Sequence, residues 1–270
     1  MKLANGLLCL MVGSELAVAA LADIVLEPTK PTAPRIVREA ITNQPLHDFT
    51  LTGKLILTGT DGTRKTLGVM ILTKPAENST QTIFRVIDPI EISGAALMVL
   101  QSVDRPNQIF FRAPGAAEAM EITAERSREH FLNTDLSYED VNFSFLRWAS
   151  QETLREEKRL SRWCYVIKSV PAQEDHSQYA SVLSWIDKEA RAPLVAEGYD
   201  AEGHLVKSFV IKGFLRSGGG WTVKEMVVED KLAEHQTKLV IEKGDFKIIH
   251  PETLFTREKF FRDLSSDPSH

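Results

Sequence analysis

Evenly spaced short strands constrain this sequence more than any other feature. In the second half, short runs rich in β-branched and aromatic residues recur between explicit turn signals such as Asp200-Ala201-Glu202-Gly203 and Ser217-Gly218-Gly219-Gly220. This spacing is typical of an antiparallel meander. The strands predicted here are 152–159, 163–170, 179–187, 194–199, 205–214, 221–229 and 237–243.

The first half alternates apolar and polar residues with a period of two, which indicates half-buried strands. Asp61-Gly62 turns the first of these strands into a return strand, so we expect Leu55, Leu57, Val69 and Ile71 to share one apolar concave surface. We expect about ten or eleven strands in the sheet, and a sheet of that size tends to curl or close to limit its exposed edges. The further strands are predicted at 64–73, 80–87, 95–100 and 108–112.

One short helix precedes the sheet. Pro34 is followed by apolar residues on one helical face, as in an amphipathic helix that could act as a lid or plug. We predict a mainly β chain with a single barrel-like domain at 47–264. An extended leader and this helix occupy 23–46, and a disordered tail occupies 265–270. The residues on the helical face are Ile36, Val37, Ala40 and Ile41.

Residues 1–22 have the features of a secretory signal peptide, because Lys2 precedes an apolar segment that ends in the small-x-small site Ala20-Leu21-Ala22. The alternative is a buried N-terminal helix. Cleavage before Asp23 would remove Cys9 and leave Cys164 without a disulfide partner. Cys164 lies in a strand-like run, which favours a buried, inert thiol over a nucleophile.

Composition and motifs exclude several classes of function. The net charge of -5 argues against a nucleic-acid partner. The sequence has no Gly-x-Ser-x-Gly elbow, no His-Glu-x-x-His, no Cys-x-x-Cys and no phosphate-binding loop, and its seven histidines lack metal-ligand spacing. We therefore predict a binding protein with no catalytic residues, metal or other cofactor, rather than an enzyme.

The segment 131–148, here called the central segment, fits neither strand nor helix periodicity. It places Asp135, Glu139 and Asp140 among large apolar side chains, so burial of the aromatic residues would bring the carboxylates towards a region of low dielectric constant. These acids either accept backbone N–H groups within the loop, or act as a general acid and base, or bind calcium.

The aromatic residues of the central segment also allow two interpretations. Phe143, Phe145 and Trp148 either fill the core or form a rim over a cavity of lipid size. In the second case we expect a gate, in which Asp135 and Asp140 hold the loop while the three aromatic residues close over the cavity mouth.

The motif Asp135-Leu136-Ser137-Tyr138-Glu139-Asp140, which follows Phe131, resembles the outer-membrane lipoprotein-sorting (LolA-like) family of periplasmic proteins. The segments 92–97, 179–188 and 220–223 match that family in order and spacing. One departure is Asn133-Thr134, where the family usually has Gly-Ser, and it bears on the local turn.

The resemblance implies an unclosed antiparallel β-barrel whose concave apolar face is covered by a helix and loops. It implies a monomeric periplasmic carrier that shields lipid or lipoprotein acyl chains between an inner-membrane exporter and an outer-membrane acceptor. The alternatives are a non-catalytic accessory subunit of an envelope transporter and a periplasmic hydrolase that uses Asp135 and Glu139. The residues expected at the ligand are Leu55, Leu57, Val69, Ile71, Leu97, Val99, Phe143, Phe145 and Trp148, and those of the gate are Phe131, Asp135, Tyr138, Glu139 and Asp140.

Overall fold

The computed structural model of the chain describes residues 31–102, 105–217 and 220–262. The predicted signal peptide at 1–22 and the predicted tail at 265–270 lie outside these residues. The described helices are α1 (Ala33–Thr42), α2 (Tyr138–Val141) and α3 (Arg257–Arg262). The described strands are β1 (Phe49–Thr58), β2 (Arg64–Ala76), β3 (Ser79–Asp88), β4 (Ala96–Ser102), β5 (Gln108–Arg112), β6 (Met120–Glu121), β7 (Ser150–Arg159), β8 (Arg162–Val170), β9 (Ser181–Asp187), β10 (Pro193–Tyr199), β11 (Leu205–Ser217), β12 (Gly220–Asp230) and β13 (His235–Asp245).

The thirteen described strands form one antiparallel sheet made of two meanders. Strands β1 to β6 pair in sequence order, as do β7 to β13, and the pairing of β1 with β13 joins the two meanders. Strands β6 and β7 lie at the two edges and are not paired with each other, so the sheet is not closed. The predicted unclosed antiparallel sheet is confirmed. It has more strands than predicted, in part because the two-residue β6 is too short for a period-two pattern to reveal.

The register between β1 and β2 determines which side chains share the concave face. Directly opposed residues of an antiparallel pair project to the same side of the sheet, so alternate residues of the two strands form one apolar surface. The opposed pairs on this face are Leu51 and Ile71, Gly53 and Val69, and Leu55 and Leu67.

A register shift between Thr52 and Gly53 breaks the regular pairing of β1 with β13. Such irregularities bend a strand and increase its local twist. Gly53 has no room for a side chain, because the carbonyl oxygen of Val240 occupies the place that a Cβ would take. The bend therefore depends on a residue without a Cβ at this position.

Helix α1 and the central segment cover the concave face. α1 has Pro34 in its first turn, where a missing N–H costs nothing, and its buried residues Ala33, Ile36, Val37 and Ala40 join the largest apolar core. The predicted N-terminal helix is confirmed. Among the described residues, none of the helices combines the length and the apolar character that crossing a membrane requires.

Candidate functional site

The central segment starts with a tight turn made by two residues in the left-handed backbone conformation. Leu132 and Asn133 have φ angles of 51° and 57°. Asparagine tolerates this conformation better than most residues, so Asn133 can replace the glycine that the family usually has before the motif. Thr134 completes the turn, because its Oγ1 donates a hydrogen bond to the carbonyl oxygen of Phe131 at 2.7 Å. The departure from Gly-Ser thus preserves the turn.

Asp140 is the buried anchor of the segment, with 1% of its surface exposed. Its Oδ2 accepts the backbone N–H of Ser137 at 2.8 Å and the ammonium of Lys207 at 2.9 Å, and its Oδ1 accepts the hydroxyl of Tyr179 at 2.7 Å. Lys207 is almost as deeply buried, at 2% exposure. A buried ion pair with these additional hydrogen bonds holds α2 against β11, and removal of either charge would leave the other uncompensated.

Tyr179 takes part in this anchor because β10 leaves space for its ring. A Cβ at Gly198 would overlap the ring of Tyr179, so glycine is needed at that position. Burial, together with the nearby charge of Asp140, raises the pKa of Tyr179 well above its ordinary value. The phenol therefore stays protonated and donates to the carboxylate.

Glu139 holds the loop between β8 and β9. Its Oε2 accepts the hydroxyl of Ser177 at 2.8 Å and its Oε1 accepts the backbone N–H of Gln178 at 3.0 Å. The pKa of Glu139 is raised to about 7, mainly by burial and secondly by the nearby charge of Asp140. Near neutral pH this carboxyl group is thus close to half protonated.

Asp135 ties the segment to β13. Its Oδ2 accepts the hydroxyl of Thr237 at 2.6 Å, and its backbone N–H donates to the same hydroxyl oxygen at 2.9 Å. The three carboxylates of the central segment therefore hold three different elements.

Among the described residues, the one group of three acidic or histidine side chains whose ligand atoms come within 4.8 Å of one another is Asp200, Glu202 and His204, in the turn between β10 and β11.

An apolar cavity of about 240 Å³, here called the inner cavity, lies between the concave face and the central segment. Five of the predicted ligand residues line it, namely Leu55, Val69, Ile71, Val99 and Phe143. The other lining residues are Gln44, Phe49, Leu51, Thr73, Thr80, Thr82, Phe84, Gln101, Phe131, Leu136, Val141, Asn142, Thr222, Val223, Met226, Leu239 and Ile241.

The remaining predicted ligand residues lie in the packed core beside this cavity. Phe145 is fully buried, and its ring lies 6.4 Å from that of Trp148 and 5.8 Å from that of Phe209, between ring centroids. Leu97 belongs to the same apolar core, and Leu57 is partly buried and packs against it. The two interpretations of the aromatic residues thus apply to different residues, because Phe143 lines the cavity whereas Phe145 and Trp148 fill the core.

The rings of the predicted gate residues Phe131 and Tyr138 lie near the same wall, tilted by 60° with 6.4 Å between their centroids. Phe131 lines the inner cavity, while Tyr138 is buried behind it against Phe111, with 5.8 Å between ring centroids. Desolvation raises the pKa of the Tyr138 phenol. Tyr138 therefore acts as apolar support for Phe131 rather than as a titrating group.

A second cavity of about 300 Å³, here called the outer cavity, shares Gln44, Thr80 and Gln101 with the inner one. Gln44 donates its Nε2–H to Oγ1 of Thr80, and Gln101 donates its Nε2–H to the carbonyl oxygen of Asn142 at 3.2 Å. Neutral hydrogen bonds therefore form the boundary between the cavities. The other residues lining the outer cavity are Ile41, Thr42, Leu46, Pro75, Ala76, Glu77, Asn78, Ser79, Ser102 and Arg147.

These boundary residues were not among those predicted from the sequence. Gln101 had one local signal, since it is the first polar residue after the apolar run 95–100. Gln44 had none, because its position depends on a distant contact with the start of β12. Gly220 approaches the backbone of Gln44 and Pro45 so closely that a Cβ would overlap it.

Two further residues were singled out in the sequence. Cys164 is fully buried, and burial raises the pKa of its thiol to about 11, as expected of an inert buried cysteine and not of a nucleophile. His130, the histidine beside the central segment, places its Nδ1 2.7 Å from the carbonyl oxygen of Thr134. The imidazole thus takes part in the turn that starts the segment.

Comparisons with known proteins agree on the fold. A family model described as "Uncharacterized protein" matches residues 78–262, and comparison with curated proteins finds no match. A DUF1329 family protein from Desulfovibrio piger has 18% identity and a TM-score of 0.75, over 84% of this chain and 96% of that one. A putative outer membrane lipoprotein-sorting protein domain from Vibrio parahaemolyticus has 18% identity and a TM-score of 0.75, over 83% and 96%.

A LolA superfamily protein from Nitrosomonas europaea is also similar, with 19% identity and a TM-score of 0.64, over 85% of this chain and 99% of that one. At these identities the likeness concerns the fold and not the function. The resemblance found in the sequence is confirmed at that level, since the chain has the fold of the LolA superfamily and of the DUF1329 and lipoprotein-sorting proteins.

Proposed function

The chain belongs to the family whose model, described as "Uncharacterized protein", spans residues 78–262, and from its LolA-like fold and its inner cavity we propose that it is a carrier that shields an acyl chain from water. The observation that carries this proposal is the apolar cavity between the sheet and the central segment. Its lining is dominated by aliphatic and aromatic side chains, and its polar members are neutral.

The physical reason for a carrier is the cost of exposing a hydrocarbon chain to water. At roughly 0.8 kcal/mol per CH₂ group, a chain of about fifteen methylenes has about 12 kcal/mol at stake, which prevents unassisted transfer. A volume of about 240 Å³ is smaller than the roughly 300–1,000 Å³ of pockets that hold drug-sized ligands. The cavity therefore suits part of one chain, and a longer chain requires the central segment to move outwards.

This movement is the role we assign to the gate. Asp140 and Asp135 keep the segment attached to β11 and β13, and Phe143 and Phe131 form the part of the wall that faces the chain. The function then depends on hydrogen bonds and packing without covalent chemistry. Asp135 and Glu139 accept hydrogen bonds from structural groups, which favours the carrier over a hydrolase that would use them.

The setting of the proposed carrier follows from the N-terminal sequence and the similar folds. With residues 1–22 as a signal peptide, the mature protein would begin at Asp23 in the periplasm. An inner-membrane donor and an outer-membrane acceptor of lipid or lipoprotein are the partners that such a carrier needs.

Filling the inner cavity tests the proposal. Val223 on β12 lines the cavity, and its neighbour Lys224 is exposed. We expect a delipidated wild-type protein to bind a fluorescent fatty acid, Val223→Trp to lose at least about tenfold in affinity because the indole occupies the cavity, and Lys224→Trp to bind as the wild type does.

Thermal unfolding of both variants controls for the fold. Native mass spectrometry of wild-type protein purified from a periplasm should show a bound lipid mass. Absence of fatty-acid binding by the folded wild type, or unchanged binding by a folded Val223→Trp variant, would refute the carrier.

A further inference from the structure

Arg147 lies at the wall of the outer cavity and has no charged partner among the described residues. It is the last residue of the 3₁₀ turn Ser144–Arg147 and is only partly exposed. Two arginines of the sheet pair with acids, Arg162 with Asp187 and Arg159 with Glu197 at 2.5 Å. No side chain or backbone group among the described residues accepts a hydrogen bond from the Arg147 guanidinium, and the one influence on its pKa is burial, which lowers it.

An unpaired guanidinium in this position is physically unfavourable until an acceptor reaches it. Its five N–H donors form a planar fork that matches the oxygens of a phosphate or carboxylate, and partial burial weakens the competition from water. The burial that lowers the pKa of Arg147 also strengthens its attraction for an anion, because the effective dielectric constant is lower there.

Glu77 is the other charged residue among those described around the outer cavity. It lies exposed in the turn between β2 and β3, and it makes no ion pair with Arg147. Solvent and salt screen the repulsion that this exposed carboxylate exerts on an anion, whereas Arg147 is screened less. At the cavity wall, the attraction of an anion to Arg147 therefore outweighs its repulsion by Glu77.

The wall of the inner cavity also contains an unsatisfied polar group. Oδ1 of Asn142 is buried and has no hydrogen-bond partner among the described residues, and Asn142 lines the inner cavity five residues before Arg147 in sequence. An unpaired acceptor and an unpaired cation thus lie on the walls of two cavities that share Gln44, Thr80 and Gln101.

We propose that the two cavities form one site for a single-chain amphiphile with an anionic head, in which the alkyl chain occupies the inner cavity and Arg147 binds the phosphate or carboxylate in the outer one. This inference rests on the proposed carrier function and specifies its class of cargo. The hydrogen bonds from Gln44 to Thr80 and from Gln101 to Asn142 lie where the chain passes from one cavity to the other, so they open when the ligand binds.

Calorimetric titration with three probes tests the proposal: dodecyl phosphate, dodecanol and inorganic phosphate. We expect the wild type to bind dodecyl phosphate at least about tenfold more tightly than dodecanol, and inorganic phosphate only weakly. Arg147→Gln should weaken dodecyl phosphate by about 10- to 100-fold, the usual effect of losing charged hydrogen bonds, and leave dodecanol unchanged. Arg147→Lys, which keeps the charge without the fork, should lie between the two.

Arg38→Gln is the matched control, because Arg38 is an exposed arginine of α1 that lines neither cavity. It should bind all three probes as the wild type does. Glu77→Gln should tighten dodecyl phosphate by no more than about fivefold, as expected for an exposed charge.

The outcomes separate the two proposals. If the wild type binds neither dodecanol nor dodecyl phosphate, the carrier function fails and this inference fails with it. If both probes bind equally to the wild type and to Arg147→Gln, the carrier stands and the anion site is refuted. If inorganic phosphate binds as tightly as dodecyl phosphate and both depend on Arg147, the site binds free phosphate and the amphiphile is refuted.

Discussion

The aromatic residues of the central segment contribute to two regions that differ in packing. The packed region, made by Phe145, Trp148 and Phe209, leaves these side chains between 0% and 6% exposed. The hollow region is the inner cavity, which Phe143 lines although it is only two residues before Phe145 and touches its ring. Residues of the same type, almost adjacent in sequence, therefore have opposite roles.

This difference shows that hydrophobicity alone does not determine whether a surface is filled or left open. Phe143 has a left-handed backbone, with φ of 50°, at the junction of α2 and the following 3₁₀ turn. The buried Asp140–Lys207 pair fixes α2, whereas neutral amide side chains form the boundary of the hollow region. Strong, costly interactions thus anchor the segment, and weaker ones surround the space that a ligand would enter.

The largest expected effect comes from releasing the segment that forms both regions. Lys207→Met leaves the Asp140 carboxylate buried without its cation, which should lower the free energy of unfolding by about 3–5 kcal/mol. The double variant Lys207→Met with Asp140→Asn should recover part of this loss, since no bare charge remains. Urea unfolding measures both, and a loss below about 1 kcal/mol for the single variant would show that the pair is not the anchor.

The same truncation in the two regions tests the comparison directly. Phe145→Ala should cost about 3–5 kcal/mol, because it leaves a cavity in a packed core. Phe143→Ala should cost only about 1–2 kcal/mol, since this side chain is already partly exposed, but it should speed release of a fluorescent fatty acid. Equal costs, together with unchanged release from Phe143→Ala, would mean that the two regions do not differ.

A smaller effect concerns the pH dependence of the segment. The pKa of Glu139 is raised from 4.5 to about 7 in the folded protein. Between pH 4.5 and pH 7, Glu139 is therefore mainly protonated in the folded state and mainly ionised in the unfolded state. Its contribution to stability is therefore complete below about pH 4.5 and is lost as the pH rises through about 7, by about 3 kcal/mol in total.

Glu139→Gln keeps the shape of the side chain and removes its titration. Between pH 4.5 and 7 the unfolding free energy of the variant should fall less steeply than that of the wild type. Denaturant midpoints measured across this range provide the check, and parallel pH profiles of the two proteins would show that Glu139 does not titrate there.

Much of the fold could be predicted because its signals are local. Period-two alternation and turn residues determined most strands, and Pro34 with an apolar face determined α1. The pairing of β1 with β13 left no such signal, since the two strands meet only in the folded chain.

The site was less predictable for physical reasons. Lys207 lies in a predicted strand, and lysine is usually exposed, so nothing local indicated that it pairs with Asp140 in the core. Phe143 and Phe145 share the same pattern, and only backbone geometry separates cavity wall from core. The importance of the central segment was evident from its unusual composition, whereas the amides and Arg147 around it became visible only when distant elements met.

The pairing of β1 with β13 also has a consequence for the order in which the molecule is completed. Each meander pairs strands that follow one another in sequence, which favours early, local assembly. The pairing of β1 with β13, here called the seam, joins Thr50 to Asp245 and can form only when residues about 200 positions apart have come together. Leu51 and Leu55 come from one side of this seam and Leu239 and Ile241 from the other. Until β1 and β13 pair, the residues that line the inner cavity are divided between two separate meanders. The cavity is therefore complete only after this last pairing forms.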